Sequence, residues 1–189
     1  MKFSQNIPKK GSLLLSEPFI LDPNFERSVV LLSEHNQTEG TTGFVLNHLS
    51  ETTFGEVIGE EKAKHFPIFL GGPVEPNALF YIHRISDKLQ SGAHIAEDIY
   101  WGGDFDRLIL LIQEDLIQPH EVKFFAGYSG WEPNQLEEEL NQNSWAVSHY
   151  LYSDLCFLSD GEDLWKRALI DMGPRYAHIA NFPKAPYLN

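Results

Sequence analysis

The sequence predicts an α+β fold in one compact domain, and three observations carry that expectation. Apolar runs of strand length recur along the chain, segments with a helical apolar period lie irregularly among them, and no repeat, low-complexity block or Pro/Gly/Ser-rich linker divides the 189 residues. The regular strand–helix alternation of a doubly wound sheet is missing. With 42% hydrophobic and 13% aromatic residues, a chain of this length can bury a substantial core.

The elements follow in order. Met1 to Lys10 carries Lys2, Lys9 and Lys10 and no acid, but the apolar stretch of a signal peptide is not found there. Leu13-Leu14-Leu15 is stopped by Ser16, Glu17 and Pro18. Residues 1–10 are expected to be a flexible leader and 11–189 the single domain. Strands are expected at Ser12 to Leu15, Arg27 to Ser33, Thr42 to Leu46, Pro67 to Leu70, Leu79 to Ile85 and Val122 to Phe125. Trp145 to His149 and Leu155 to Leu158 are further strand candidates.

About four short helices are expected. One opens at Thr53, which has capping-box spacing to Glu56, with Phe54, Val57 and Ile58 facing inward. Another runs from Asp104, a good N-cap, to Gln113, with Phe105, Leu108, Ile109 and Ile112 on one face. A third starts at Pro133 and runs through Asn141, burying Leu136 and Leu140 and leaving Glu137 to Glu139 mostly solvated. The last has a Ser159/Glu162 capping box ahead of Leu164, Trp165, Ala168, Leu169 and Met172, and ends at Gly173-Pro174.

Charge and composition narrow the function. A formal charge of −13 repels nucleic-acid phosphate and anionic lipid, so no direct nucleic-acid binding is expected. The longest aliphatic run, Leu108 to Ile112, is far short of the ~20 residues of a membrane span. Cys156 is the only cysteine, which suits a reducing, cytoplasmic compartment, and its apolar neighbours make it inert. None of the eight histidines has a second His or Cys at ligand spacing, so no metal site is expected. Gly71-Gly72-Pro73 follows a strand but has neither a P-loop ending nor the third glycine of a dinucleotide turn; no cofactor is expected. Gly127-Tyr128-Ser129-Gly130 begins like a nucleophile elbow, but Trp131 stands where that turn needs a glycine.

Taken together, the motifs resemble the YqgE/AlgH family. The likeness is carried by Gly11 to Ser16 with Pro18, by Asp22-Pro23-Asn24-Phe25 with Ser28 to Leu32, and by Glu34-His35-Asn36 and Gly40. It continues through Gly43 to Asn47, Gly71 to Val74, His83, Gly127 to Trp131, Gln135-Leu136-Glu137 with Glu139, and the Trp165 helix. Residues 11 to 173 are covered. The resemblance implies a cytosolic bacterial domain with a mixed, barrel-like sheet, in a family designated as transcriptional regulators without an established reaction, cofactor or catalytic residue. Two positions depart from the family pattern. His48-Leu49 replaces a basic residue and proline, and Ser129 stands where alanine is common.

The leading expectation is a non-catalytic regulator that binds a small ligand or a protein partner and affects transcription only indirectly. Turns at Gly71-Gly72-Pro73 and at Gly127 to Trp131 are expected to meet near Asn47 around a shallow cleft. Glycine amides, Tyr128, Ser129 and Trp131 would line it, with His35, Asn47 and Gln135 orienting polar atoms. The alternative is a small-molecule hydrolase or transferase using Ser129 with His35 or His83 as base. A third reading assigns docking of a basic partner to the acidic face at Glu137 to Glu139.

Overall fold

The computed structural model describes residues 3–158 and 161–184. Among them the chain forms β1 (Leu13–Ser16), β2 (Val29–Asn36), β3 (Gly40–Val45), β4 (Leu49–Thr53), α1 (Phe54–Ile58), β5 (Pro67–Leu70) and β6 (Val74–His83). Then come α2 (Ser86–Leu89), β7 (Ala93–Ala96), β8 (Ile99–Trp101), α3 (Phe105–Gln113), β9 (Val122–Trp131), α4 (Gln135–Asn141) and β10 (Trp145–Ser148). Three helices end the described chain: α5 (Ser153–Leu158), α6 (Gly161–Asp171) and α7 (Pro174–Ala177).

The ten strands make one mixed sheet with the path β10-β1-β2-β3-β9-β6-β8-β7, and β4 joins it through β5. Only the β5–β9 pairing is parallel. The α+β class is therefore as the sequence predicts, but the sheet, barrel-like in sharing one core among nine strands, is not closed. β10 and β7 end the path without pairing to each other. At β10 the free edge is covered by the segment before β1. Asn6 Nδ2 donates to the Val147 carbonyl at 2.9 Å, and the Val147 amide donates to Ser4 Oγ at 3.0 Å. Residues 3–10, expected as a leader, make these bonds and others: the Phe3 amide donates to Asn143, the Phe3 carbonyl accepts from the Tyr176 hydroxyl, the Ile7 carbonyl bonds the His149 ring, and Lys10 pairs with Glu34.

Strands β1 and β2 read as unbroken apolar runs because both faces of the sheet are covered. Leu13, Leu15, Val29 and Leu31 point to the core under α5 and α6, whereas Leu14, Val30 and Leu32 pack with Trp131, Leu136 and Trp145 under α4. A third core, with Phe54, Phe66 and Phe124 at its centre, lies beneath α1 and α3.

Four helices stand where expected, and α2, α5 and α7 are additional; with four to six residues each, they are too short to show a helical period. The reciprocal Thr53/Glu56 capping box forms, and the Asp104 carboxylate accepts from the Arg107 amide at 2.9 Å. Ser159 lies outside the described residues, so its cap is not among the findings. Leu155 to Leu158 is helical, not a strand. Leu155, Cys156 and Phe157 are all buried, and a short run buried on every side carries no period to separate the two.

The largest correction concerns Gly127 to Trp131, which is not a turn but the second half of β9. Along one edge, β9 pairs with β5 from Phe124 to Ala126 and with β3 from Ser129 to Trp131. The neighbour changes at Gly127, whose φ of +70° disfavours any side chain. β5 ends against this point: Gly71 donates to the Ala126 carbonyl and accepts from the Val45 amide, both at 2.9 Å. A Cβ on Gly71 would stand 2.3 Å from the Gly127 carbonyl oxygen. Gly71→Ala is therefore expected to destabilise the protein by about 1–3 kcal/mol or more through overpacking, read as a lower urea midpoint.

Candidate functional site

The irregularity at Gly127 decides which way Tyr128 points. Phe125 and Tyr128 are three residues apart, yet both pack on the core side shared with Phe44 and Phe80. A regular strand would send them to opposite faces. Opposite Gly127, β6 bows out: Val74 pairs with Tyr128 and Leu79 with Ala126, leaving residues 75–78 outside the ladder. Glu75 takes a left-handed backbone at φ +48° there, an uncommon state for a residue with a side chain.

Two hollows flank Tyr128 and share Thr42. The first, about 270 Å³, is walled by Phe44, Phe80, Trp101 and Tyr128, with Ser33 and Glu75 beside them. Phe80 and Tyr128 meet edge to face at 5.5 Å. The second, about 320 Å³, is more polar, bounded by Glu39, Thr41, Glu132, Gln135 and Trp131. No cluster of three or more His, Cys, Asp or Glu suited to a metal ion occurs among the described residues.

The structure brings only part of the expected site together. Tyr128, Trp131 and Gln135 border the second hollow. Trp131 is only 5% exposed; its indole N–H donates to Glu139 at 2.9 Å, and the same carboxylate oxygen accepts from Trp145 at 2.7 Å. Gln135 donates to the other Glu139 oxygen. Glu139 thus turns inward to pin α4 onto β9 and β10, instead of joining a solvated acidic face. Gly71 and Gly72 do meet the Gly127–Ser129 backbone, but they pack on it without leaving a recess, and Pro73 follows in the exposed link to β6.

Asn47 faces elsewhere. Its side chain is buried, accepting from the Val29 amide and donating to the carbonyls of Arg27 and Gly161, so its hydrogen-bonding capacity is spent on joining α6 to the sheet. Arg27 lies beside it, buried against Trp165 and paired with Glu162. Burial would raise the Glu162 carboxyl, but hydrogen bonds from Lys184 and Lys166 and the Arg27 charge outweigh it and hold the group at about 2. Burial also lowers His48, against the bond to the Glu26 carbonyl that favours its charged form. The position where the family pattern has a basic residue is thus held toward a neutral imidazole.

Ser129 is completely buried, and its hydroxyl donates to the Gly71 carbonyl at 3.0 Å. His83 pairs with Val122, seven residues along β9 from Ser129, which places it roughly 20 Å away at about 3.3 Å per residue. Its ring contacts the Gly102 carbonyl, and burial lowers its pKa. His35 stands two strands across from β9 and bonds Thr41 Oγ1 at 2.7 Å. Neither histidine is placed to activate Ser129. Burial pushes the Cys156 thiol up to about 12, in line with an inert role.

Sequence reading missed Phe80, Trp101 and Glu75 as wall residues. Pro76 and Asn77 make the start of β6 read as loop, and β8 is only three residues long.

With this geometry in view, the chain belongs to the AlgH-like family (DUF179), which matches residues 13–177. A UPF0301 protein of Cytophaga hutchinsonii is 43% identical over 182 residues, covering 95% of this chain and 98% of that protein. One from Parabacteroides distasonis is 43% identical over 185 residues, covering 97% and 92%. The solution structure of the AlgH protein from Pseudomonas aeruginosa superposes with a TM-score of 0.73 at 26% identity, covering 95% of this chain and 98% of that one. Protein DIP2367 from Corynebacterium diphtheriae shares the fold, with a TM-score of 0.75 at 23% identity and 95% coverage of each chain.

Two outcomes are expected from these placements. Ser129→Ala removes one neutral hydrogen bond while Gly71 keeps its bond from Val45, so denaturant titration should show a loss of only about 0.5–1.5 kcal/mol. Glu162, held at about 2 against an ordinary 4.5, contributes stability that is complete above pH 4.5 and lost as pH falls toward 2. Between pH 5 and pH 3 the melting temperature should therefore fall more steeply for the native protein than for Glu162→Gln.

Proposed function

We propose that this protein is a non-catalytic, cytosolic regulator that binds a small ligand in the paired hollow around Tyr128, with any effect on transcription passing through another protein. The observation that carries this reading is the pair of adjoining hollows sharing Tyr128 and Thr42, one aromatic and one polar. The Tyr128 hydroxyl makes no hydrogen bond to the described residues, so a polar handle stands in the wall ready for a ligand. Recognition without reaction is supported by Ser129, whose hydroxyl is sealed in the sheet, and by histidines remote from it. An indirect route to transcription follows from the −13 charge, which opposes contact with nucleic-acid phosphate. No helix among the described residues is long and apolar enough to cross a membrane.

A fragment screen followed by amide and indole NMR shifts tests the reading. Fragments are expected to perturb Phe80, Trp101 and Tyr128 together and to lose about tenfold or more in affinity for a folded Tyr128→Ala variant. A screen whose hits all map elsewhere, or bind Tyr128→Ala equally well, overturns it.

A further inference from the structure

The walls of the two hollows also define a charge. Carboxylates of Glu39, Glu75 and Glu132 border them, and no Lys, Arg or His side chain lines either one. Glu75 and Glu132 form no ion pair with a described residue, and the Glu39 carboxylate accepts only from the neutral Asn36 amide, at 3.2 Å. Other acids do find cations, as Glu34 does with Lys10 at 2.8 Å. Glu75 is thus the charged residue that lines the aromatic hollow, and it is uncompensated, while Glu39 and Glu132 add negative charge at the adjoining polar hollow.

Rings and carboxylates select the same kind of guest. An aromatic face attracts a cation through its quadrupole, most strongly when the cation is poorly hydrated and fits among several rings. A carboxylate at the mouth adds Coulomb attraction while leaving the apolar interior undisturbed. An anionic guest would be repelled by every charged group on the rim, and a neutral apolar guest would leave the carboxylates unused.

We infer that the ligand of this groove is an organic cation, with an alkylated ammonium group seated among Phe44, Phe80, Trp101 and Tyr128 and its charge facing Glu75. This rests on the reading of the hollows as a ligand site, and it names the chemical class that site takes.

Choline and its neutral carbon isostere, 3,3-dimethylbutan-1-ol, separate the two levels of the argument. Each is titrated into the full chain while the amide signals of Phe44, Phe80 and Tyr128 and the Trp101 indole signal are followed. Choline is expected to shift these signals with an affinity at least about fivefold above that of the alcohol, the preference falling at high salt. Glu75→Gln, which keeps the side-chain shape, should weaken choline by about two- to fivefold and leave the alcohol unchanged. Equal or tighter binding of the alcohol in the groove would overturn the cation inference and leave the ligand site standing. If choline shifts nothing in the groove the inference fails; if the alcohol and a neutral fragment library shift nothing there either, the site reading fails with it.

Discussion

The fold turns on one close approach between two stretches of backbone. Gly71 sits so near Gly127 that a methyl group on it would overlap the Gly127 carbonyl oxygen at 2.3 Å, and its own amide and carbonyl bridge Ala126 and Val45. At that contact β5 leaves the edge of β9 and β3 takes its place. Two strands could not share one edge of β9 in this way if side chains stood between them. The outer strands β10, β1 and β2 join the rest of the sheet only through β3, so the whole path from β10 to β7 depends on this junction.

The same junction sets up the groove. Because the strand is irregular at Gly127, Tyr128 comes to the face that Phe125 already occupies, and the bowed segment of β6 brings Glu75 to the rim. Trp131, beyond the junction, turns to the opposite face, where Glu139 gathers it with Trp145. One short block of sequence therefore serves two faces of the sheet. Its serine is consumed in holding them together, which is why a motif that begins like a nucleophile elbow ends as a structural strand.

Much of the fold was legible in the sequence, and what was not has identifiable causes. Strands β1 and β2 are dense in aliphatic residues because they are covered on both faces, β3 and β5 carry shorter apolar runs, and the capped helices α1 and α3 carry their start signals locally. The second half of β9 was hidden by its glycines, which signal a turn in isolation and close packing in context. The bow in β6 was hidden by Pro76 and Asn77, and α5 by a four-residue apolar run without a period. Tyr128, Trp131 and Gln135, which border the polar hollow, stand out in the sequence because aromatic and amide groups crowd one block. Asn47 was misplaced because a buried asparagine with all its partners inside the protein looks, in sequence, like one awaiting a ligand. Glu75 and Trp101 gave no signal, since their proximity arises only from the pairing of β6 with β9 and β8.

Native-state hydrogen exchange at the Val45 and Gly71 amides tests the central junction most directly, since these protons bond to Gly71 and Ala126 across it. The account predicts that both exchange only with global unfolding, as slowly as the amides of β1 and β2. Fast exchange of this pair through local opening, with β1 and β2 still protected, would contradict it.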